Sequence, residues 1–135
     1  MRTQKKHKLK QLRHWRIRKK VSGTKDCPRM SVCFTNENIH VQFIDDSAGK
    51  TLAAVSTVGK NSTAKDSSAN VNGAKNVGKL AAEAAIAKGI KAVVFDRSGA
   101  RYHWSESKGK DGKPVKTLGK LATLAEAARE AGLKF

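Results

Sequence analysis

Alternating and helical apolar periods in one chain predict a mixed α/β (α+β) fold. It comprises a three-stranded antiparallel meander, a parallel fourth strand, two packing helices and a basic N-terminal helical arm. Three observations carry this. Residues 30–43 place apolar side chains at every second position on either side of a short polar turn. Residues 77–84 and 121–128 place them at spacings of three and four. Between these helical segments lies a short apolar run, Ala92-Val93-Val94-Phe95, of the kind that pairs inside a sheet after a crossover. A chain of 135 residues fits one domain with a modest core. Composition divides it into a basic arm over 1–25 and a globular α/β domain over 26–135, with a surface insertion at about 104–118.

The arm is the first element. Of the 28 Lys and Arg residues, 12 fall in the first 29 positions, where Asp26 is the only acid. That leaves +11 of the formal +17 charge there and +6 on the remaining 106 residues. Lys5-Lys6-His7-Lys8 repels itself unless counter-charge comes from outside the chain, and nucleic acid supplies such charge most densely. Leu9, Leu12, Trp15 and Val21 form a thin stripe, which predicts a helix over 3–21 once the charge is neutralised. An isolated helix of this length is marginal in water, so the arm orders on binding. The plain reading of Trp15 is that it packs the arm onto the domain; stacking on a base is the sharper one.

Ser22-Gly23-Thr24-Lys25 predicts a hinge, and Pro28 opens the domain. Met30, Val32 and Phe34 alternate with Ser31, Cys33 and Thr35 as a half-buried strand does. Asn36-Glu37-Asn38 reads as a hairpin turn into Ile39, Val41 and Phe43, and Asp45 to Gly49 as the turn into a third strand over 51–57. The polar alternates imply that one sheet face lies outside the core. Residues 58–73, rich in Ser, Asn, Lys and Gly, predict a mobile surface loop. Val77, Leu80, Ala81 and Ala84 then predict a helix stopped at Gly89, and Leu121, Leu124, Ala125 and Ala128 a second one closed by Gly132, after which Leu133 and Phe135 can tuck back. Residues 105–114 offer no core contacts and read as a surface excursion or extended hairpin.

Chemistry-bearing motifs are few. Gly49-Lys50-Thr51 has the tail of a phosphate loop, but Ile44 stands where the first glycine belongs and a strand follows instead of a helix. Asp45, Asp46, Glu83 and Asp96 are the carboxylates a Mg²⁺-dependent nuclease would need; the simpler reading is a turn, a solvated helix face and a strand end. His7, His14, His40 and His103 share no metal-ligand spacing with each other or with Cys27 and Cys33, and no nucleophile has a base beside it. No catalysis, metal or cofactor is expected. Cys27 and Cys33 read as reduced thiols, and Asn61-Ser62-Thr63 as a polar loop instead of a glycosylation acceptor. With no apolar run long enough for a span or signal peptide, a soluble cytoplasmic protein without a membrane partner or small-molecule substrate is expected. Residues 97–104 bring Arg97, Arg101, a permissive glycine and the rings of Tyr102, His103 and Trp104 together after a buried strand, a composition suited to stacking on RNA and holding phosphate. The competing reading is that Tyr102 or Trp104 fills core.

These blocks together resemble a known family. Pro28-Arg29-Met30-Ser31-Val32, Asn36, residues 39–46 from Ile39 to Asp46, Phe95-Asp96-Arg97-Ser98-Gly99 with Tyr102-His103, and residues 124–135 closely resemble bacterial large-subunit ribosomal protein eighteen, in order along the whole chain. The resemblance implies a structural component of the large ribosomal subunit that binds 5S rRNA and helps attach it to 23S rRNA in the central protuberance, beside ribosomal protein five. A different basic RNA or DNA chaperone is the alternative. Carried over by position, the implied RNA contacts are Arg13, Arg16, Arg18, Lys19 and Lys20 in the arm, Arg29, Asn36, His40 and Gln42 on the meander, and Arg97, Tyr102 and His103 after the fourth strand. There are departures. Thr35 stands where the family usually has Arg. The family's Tyr-His-Gly-Arg-Val passage is interrupted by 15 residues, 104–118, with Gly119-Lys120-Leu121 as its continuation, so that Lys120 stands in for the arginine. The insertion adds Lys108, Lys110, Lys113 and Lys116 and is expected to reach ribosomal RNA or another protein.

Overall fold

The computed structural model describes residues 2–59, 64 and 68–135. Helix α1 (Thr3–Arg18) precedes strands β1 (Arg29–Phe34), β2 (Ile39–Asp45) and β3 (Lys50–Ser56). Helix α2 (Val71–Ala87) leads to β4 (Val94–Asp96), a ribbon of β5 (Trp104–Lys108) and β6 (Pro114–Leu118), and α3 (Lys120–Glu130). The main sheet has the order β3-β2-β1-β4. Strands β1, β2 and β3 are antiparallel, and β4 returns parallel to β1 with Met30 opposite Phe95. This is the expected meander with a parallel fourth strand.

The period-2 pattern decides which face is buried. Met30, Val32, Ile39, Val41 and Phe43 are fully buried beneath α2 and α3, while Cys33, Gln42 and Ala54 point to the open face. A glycine lets the two helices approach closely: a Cβ on Gly78 would lie 2.5 Å from the Leu124 carbonyl oxygen. Small residues there exchange side-chain volume for backbone proximity.

Both packing helices stop by the same device. Gly89 and Gly132 adopt φ of +79° and +107°, which only glycine takes without strain. The next amide then reaches back, Ile90 N–H to Ala85 O at 3.0 Å and Leu133 N–H to Ala128 O at 3.1 Å, and both following side chains are buried. Two boundaries differ from expectation. Helix α2 begins at Val71, inside the stretch read as loop, because the Asn70 side chain caps it by accepting from Gly73 N–H at 2.7 Å. Ala64 and Ala69, from that same stretch, are buried in the core. The fourth strand starts at Val94 instead of Ala92, since Val93 N–H is taken by Lys134 O. Asn61-Ser62-Thr63 and part of the expected loop lie outside the described residues.

Candidate nucleic-acid interface

The arm carries seven cations and no acid within α1: Lys5, Lys6, Lys8, Lys10, Arg13, Arg16 and Arg18. No residue of this helix is buried, and Trp15 remains 55% exposed. With only a thin apolar stripe and none of it buried, the helix gains little from a core. Arg16 and Arg18 in its last turn do oppose the negative end of the helix dipole.

One carboxylate fastens the arm to the domain. Asp46 accepts from Arg18 Nη2 at 3.0 Å, from Gly23 N–H at 2.7 Å and, side-on, from Arg29 Nε and Nη2 at 2.9 and 3.0 Å. Its own N–H donates to Gly23 O at 3.0 Å. A Cβ on Gly23 would lie 2.3 Å from Arg29 N, so the expected hinge is a packed junction. The Arg29 guanidinium, helped by the Gly23 amide and Arg18, holds the Asp46 carboxyl well below the usual range against the opposing effect of burial. Arg29 is raised in turn, first by its hydrogen bond to Asp46.

Arg29 is therefore placed differently from the expectation that it meets RNA. It is 6% exposed, and its Nη1 donates to the fully buried Asp96 at 2.9 Å. A buried arginine between two carboxylates is a structural tie, since each buried charge needs its partner. The remaining carboxylates are also engaged or apart. Asp45 accepts from the Ser47 and Ala48 amides to form the turn, Asp96 also accepts from Ser98 N–H, and Glu83 is exposed on α2.

The other expected residues fall into three groups. Arg13 and Arg97 line one groove of about 260 Å³ with Lys6 and Lys10, beside Cys33 and Phe34. Arg13, Arg16 and Arg97 line another of about 290 Å³ with Arg101. Lys19 and Lys20 are exposed past the helix end. The open sheet face makes the second group. Gln42 is exposed there, His40 Nδ1 lies 2.9 Å from Ser56 Oγ, and Asn36 is exposed in the hairpin turn above. Tyr102, His103 and Lys120 make the third, against α3. The Tyr102 ring packs on the core, its hydroxyl donates to Glu126 Oε1 at 2.9 Å, and it accepts from Arg129 at 3.3 Å, which realises the core-filling alternative for this ring. His103 and Lys120 are exposed.

Sequence reading singled out Arg101 beside Arg97 but did not set them against the arm, and it left Lys6 and Lys10 out of the expected contacts. It also missed Lys25, Lys50, Lys88 and Lys91, which surround a cleft of about 760 Å³ with Asp26. No local signal links those four; only the fold collects them.

Residues 4–106 match the model of ribosomal L18 of archaea, bacteria, mitochondria and chloroplasts. This chain belongs to the ribosomal L18 family. The large ribosomal subunit protein uL18 of Lactococcus lactis (strain IL1403) is 47% identical over 130 residues, covering 96% of this chain and 95% of the relative. That of Crocosphaera subtropica is 47% identical over 138 aligned residues, covering all of both chains, and that of Lactobacillus johnsonii 48% over 130, with 96% and 95% covered. The L18 match ends at Glu106, inside the β5–β6 ribbon. There Gly119 N–H donates to His103 O at 3.0 Å, so the ribbon leaves and rejoins the domain at one point and Gly119 follows His103 in space.

Proposed function

We propose that this L18 protein is a structural constituent of the large ribosomal subunit, in the cytoplasm, that binds 5S rRNA and helps attach it to 23S rRNA in the central protuberance, next to ribosomal protein five. The observation that carries the proposal is the alignment of an acid-free cationic helix beside Arg97 and Arg101, within an L18 chain. Among the described residues, Arg18 is the one arm cation paired with a carboxylate. The others repel one another across narrow grooves, a cost that an external polyphosphate removes.

Arg13, Arg16, Lys19, Lys20 and Arg97 hold phosphates in this reading, and Arg18 does so while remaining tied to Asp46. Asn36, His40 and Gln42 read RNA shape, 2′-hydroxyls or base edges from the open face, and His103 does so from beside the start of α3. Lys120 adds a phosphate contact at the start of α3. No bond is made or broken: the protein positions RNA. The test is competition binding. Labelled 5S rRNA is retained against an excess of bulk RNA at moderate salt if shape is read, whereas equal displacement by bulk RNA contradicts the proposal.

A further inference from the structure

The β5–β6 ribbon has no core of its own. All ten of its strand residues are exposed except Leu118. Two-stranded ribbons are marginal in water unless something covers them, yet this one is fully formed, with Trp104 opposite Leu118 and Glu106 opposite Lys116. Its tip is tied by Gly109 N–H to Lys113 O at 2.9 Å and by Gly112 at a φ of +72°.

Its chemistry points to a particular partner. Lys108, Lys110, Lys113 and Lys116 outnumber Glu106 and Asp111. Trp104 is 51% exposed, with Lys116 Nζ 4.7 Å from the ring centre. Strand alternation puts Trp104, Lys108 and Lys116 on one side of the ribbon, together with Glu106 opposite Lys116, so that this face keeps a net positive charge. Protein interfaces are depleted in lysine and need an apolar centre, and Val115 is the ribbon's one other large exposed apolar residue. An aromatic ring among lysines instead fits a nucleic-acid strand, with bases on the ring and phosphates on the ammonium groups. The root of the ribbon is continuous with His103 and Lys120.

We infer that the ribbon is a second RNA-docking element, on which an unpaired nucleotide of ribosomal RNA stacks against Trp104 while Lys108 and Lys116 hold the flanking phosphates. The inference rests on the ribosomal RNA-binding reading and adds to it a site beyond the arm and the open face. Because Gly119 already bonds to His103, residues 104–118 can be excised with His103 joined to Gly119, and thermal melting confirms that the core is intact.

The test is chemical footprinting of 5S and 23S rRNA bound to the full chain, to the excised chain and to Trp104→Ala. The full chain protects a discrete set of unpaired nucleotides; both variants re-expose that set and leave the arm-dependent protections unchanged. Trp104→Ala weakens binding of the RNA carrying that set by about 5- to 150-fold, the loss of one base stack. Identical footprints for all three chains overturn the inference alone. A ribosomal protein retained by the full chain and lost from the excised one, with RNA footprints unchanged, makes the ribbon a protein contact and overturns it too. A full chain that protects neither RNA overturns the wider RNA reading along with it.

Discussion

Helices α1 and α2 have nearly the same length, 16 and 17 residues, and opposite energetics. Helix α2 buries seven residues, five of them Ala or Val and two Gly, against the sheet and α3. Helix α1 buries none and is fastened by Arg18 to Asp46. Tertiary packing supplies most of a helix's stability in a protein, so α2 is part of the fold and α1 is attached to it. Each kind of substitution should therefore act in its own place: in the domain on stability, and in the arm, under the proposed function, on attraction for RNA.

The largest effect that would test this division lies in the core. Phe43→Ala leaves a cavity under the helices and should cost about 3–5 kcal/mol, seen as a large loss of denaturation midpoint. Arg29→Met strands the buried Asp96 and the mostly buried Asp46, and should cost about 3 kcal/mol or more. A loss below about 0.5 kcal/mol, typical of surface substitutions, would return Arg29 to the RNA-facing group.

Acid sharpens the same comparison. The Asp46 carboxyl is held below its ordinary value of 3.8, so its stabilisation is fully present above that value and is lost as pH falls through the lowered one. Wild type should exceed Asp46→Asn in stability at neutral pH and lose that advantage progressively below pH 3.8, measured by denaturant midpoints across the acid range. An unchanged gap down to the lowest pH at which the protein folds would mean that the Arg18–Asp46–Arg29 tie is not ionic. The smallest effect on stability belongs to the arm. Lys6→Gln with Lys10→Gln should move the unfolding free energy by no more than about 0.5 kcal/mol, yet lower the salt slope of RNA binding by roughly 1.5.

The meander and both packing helices were legible because apolar period and turn chemistry are local. Ile39, Val41 and Phe43 announce a strand by alternation, and Gly89 and Gly132 announce their helix ends. The start of α2 was not legible, since Asn70 is one polar residue in a Ser- and Asn-rich stretch and only its bond to Gly73 distinguishes it. Arg29 was misplaced for a non-local reason: its partners Asp46 and Asp96 lie 17 and 67 positions away, and beside Pro28 it looks like any basic surface residue. The arm cations were legible as a charge run. Their company with Arg97 and Arg101 was not, because it depends on how α1 lies along the domain.

The most direct test of the central claim is the salt dependence of 5S rRNA affinity for the full chain and for a chain beginning at Val21, which lacks the ten cations before that position. The full chain should show a steep fall of log K with log salt, and truncation should flatten it by about 0.7–0.9 for each arm cation engaged, with the melting midpoint of the domain nearly unchanged. Equal slopes and equal affinities for the two chains would contradict the account.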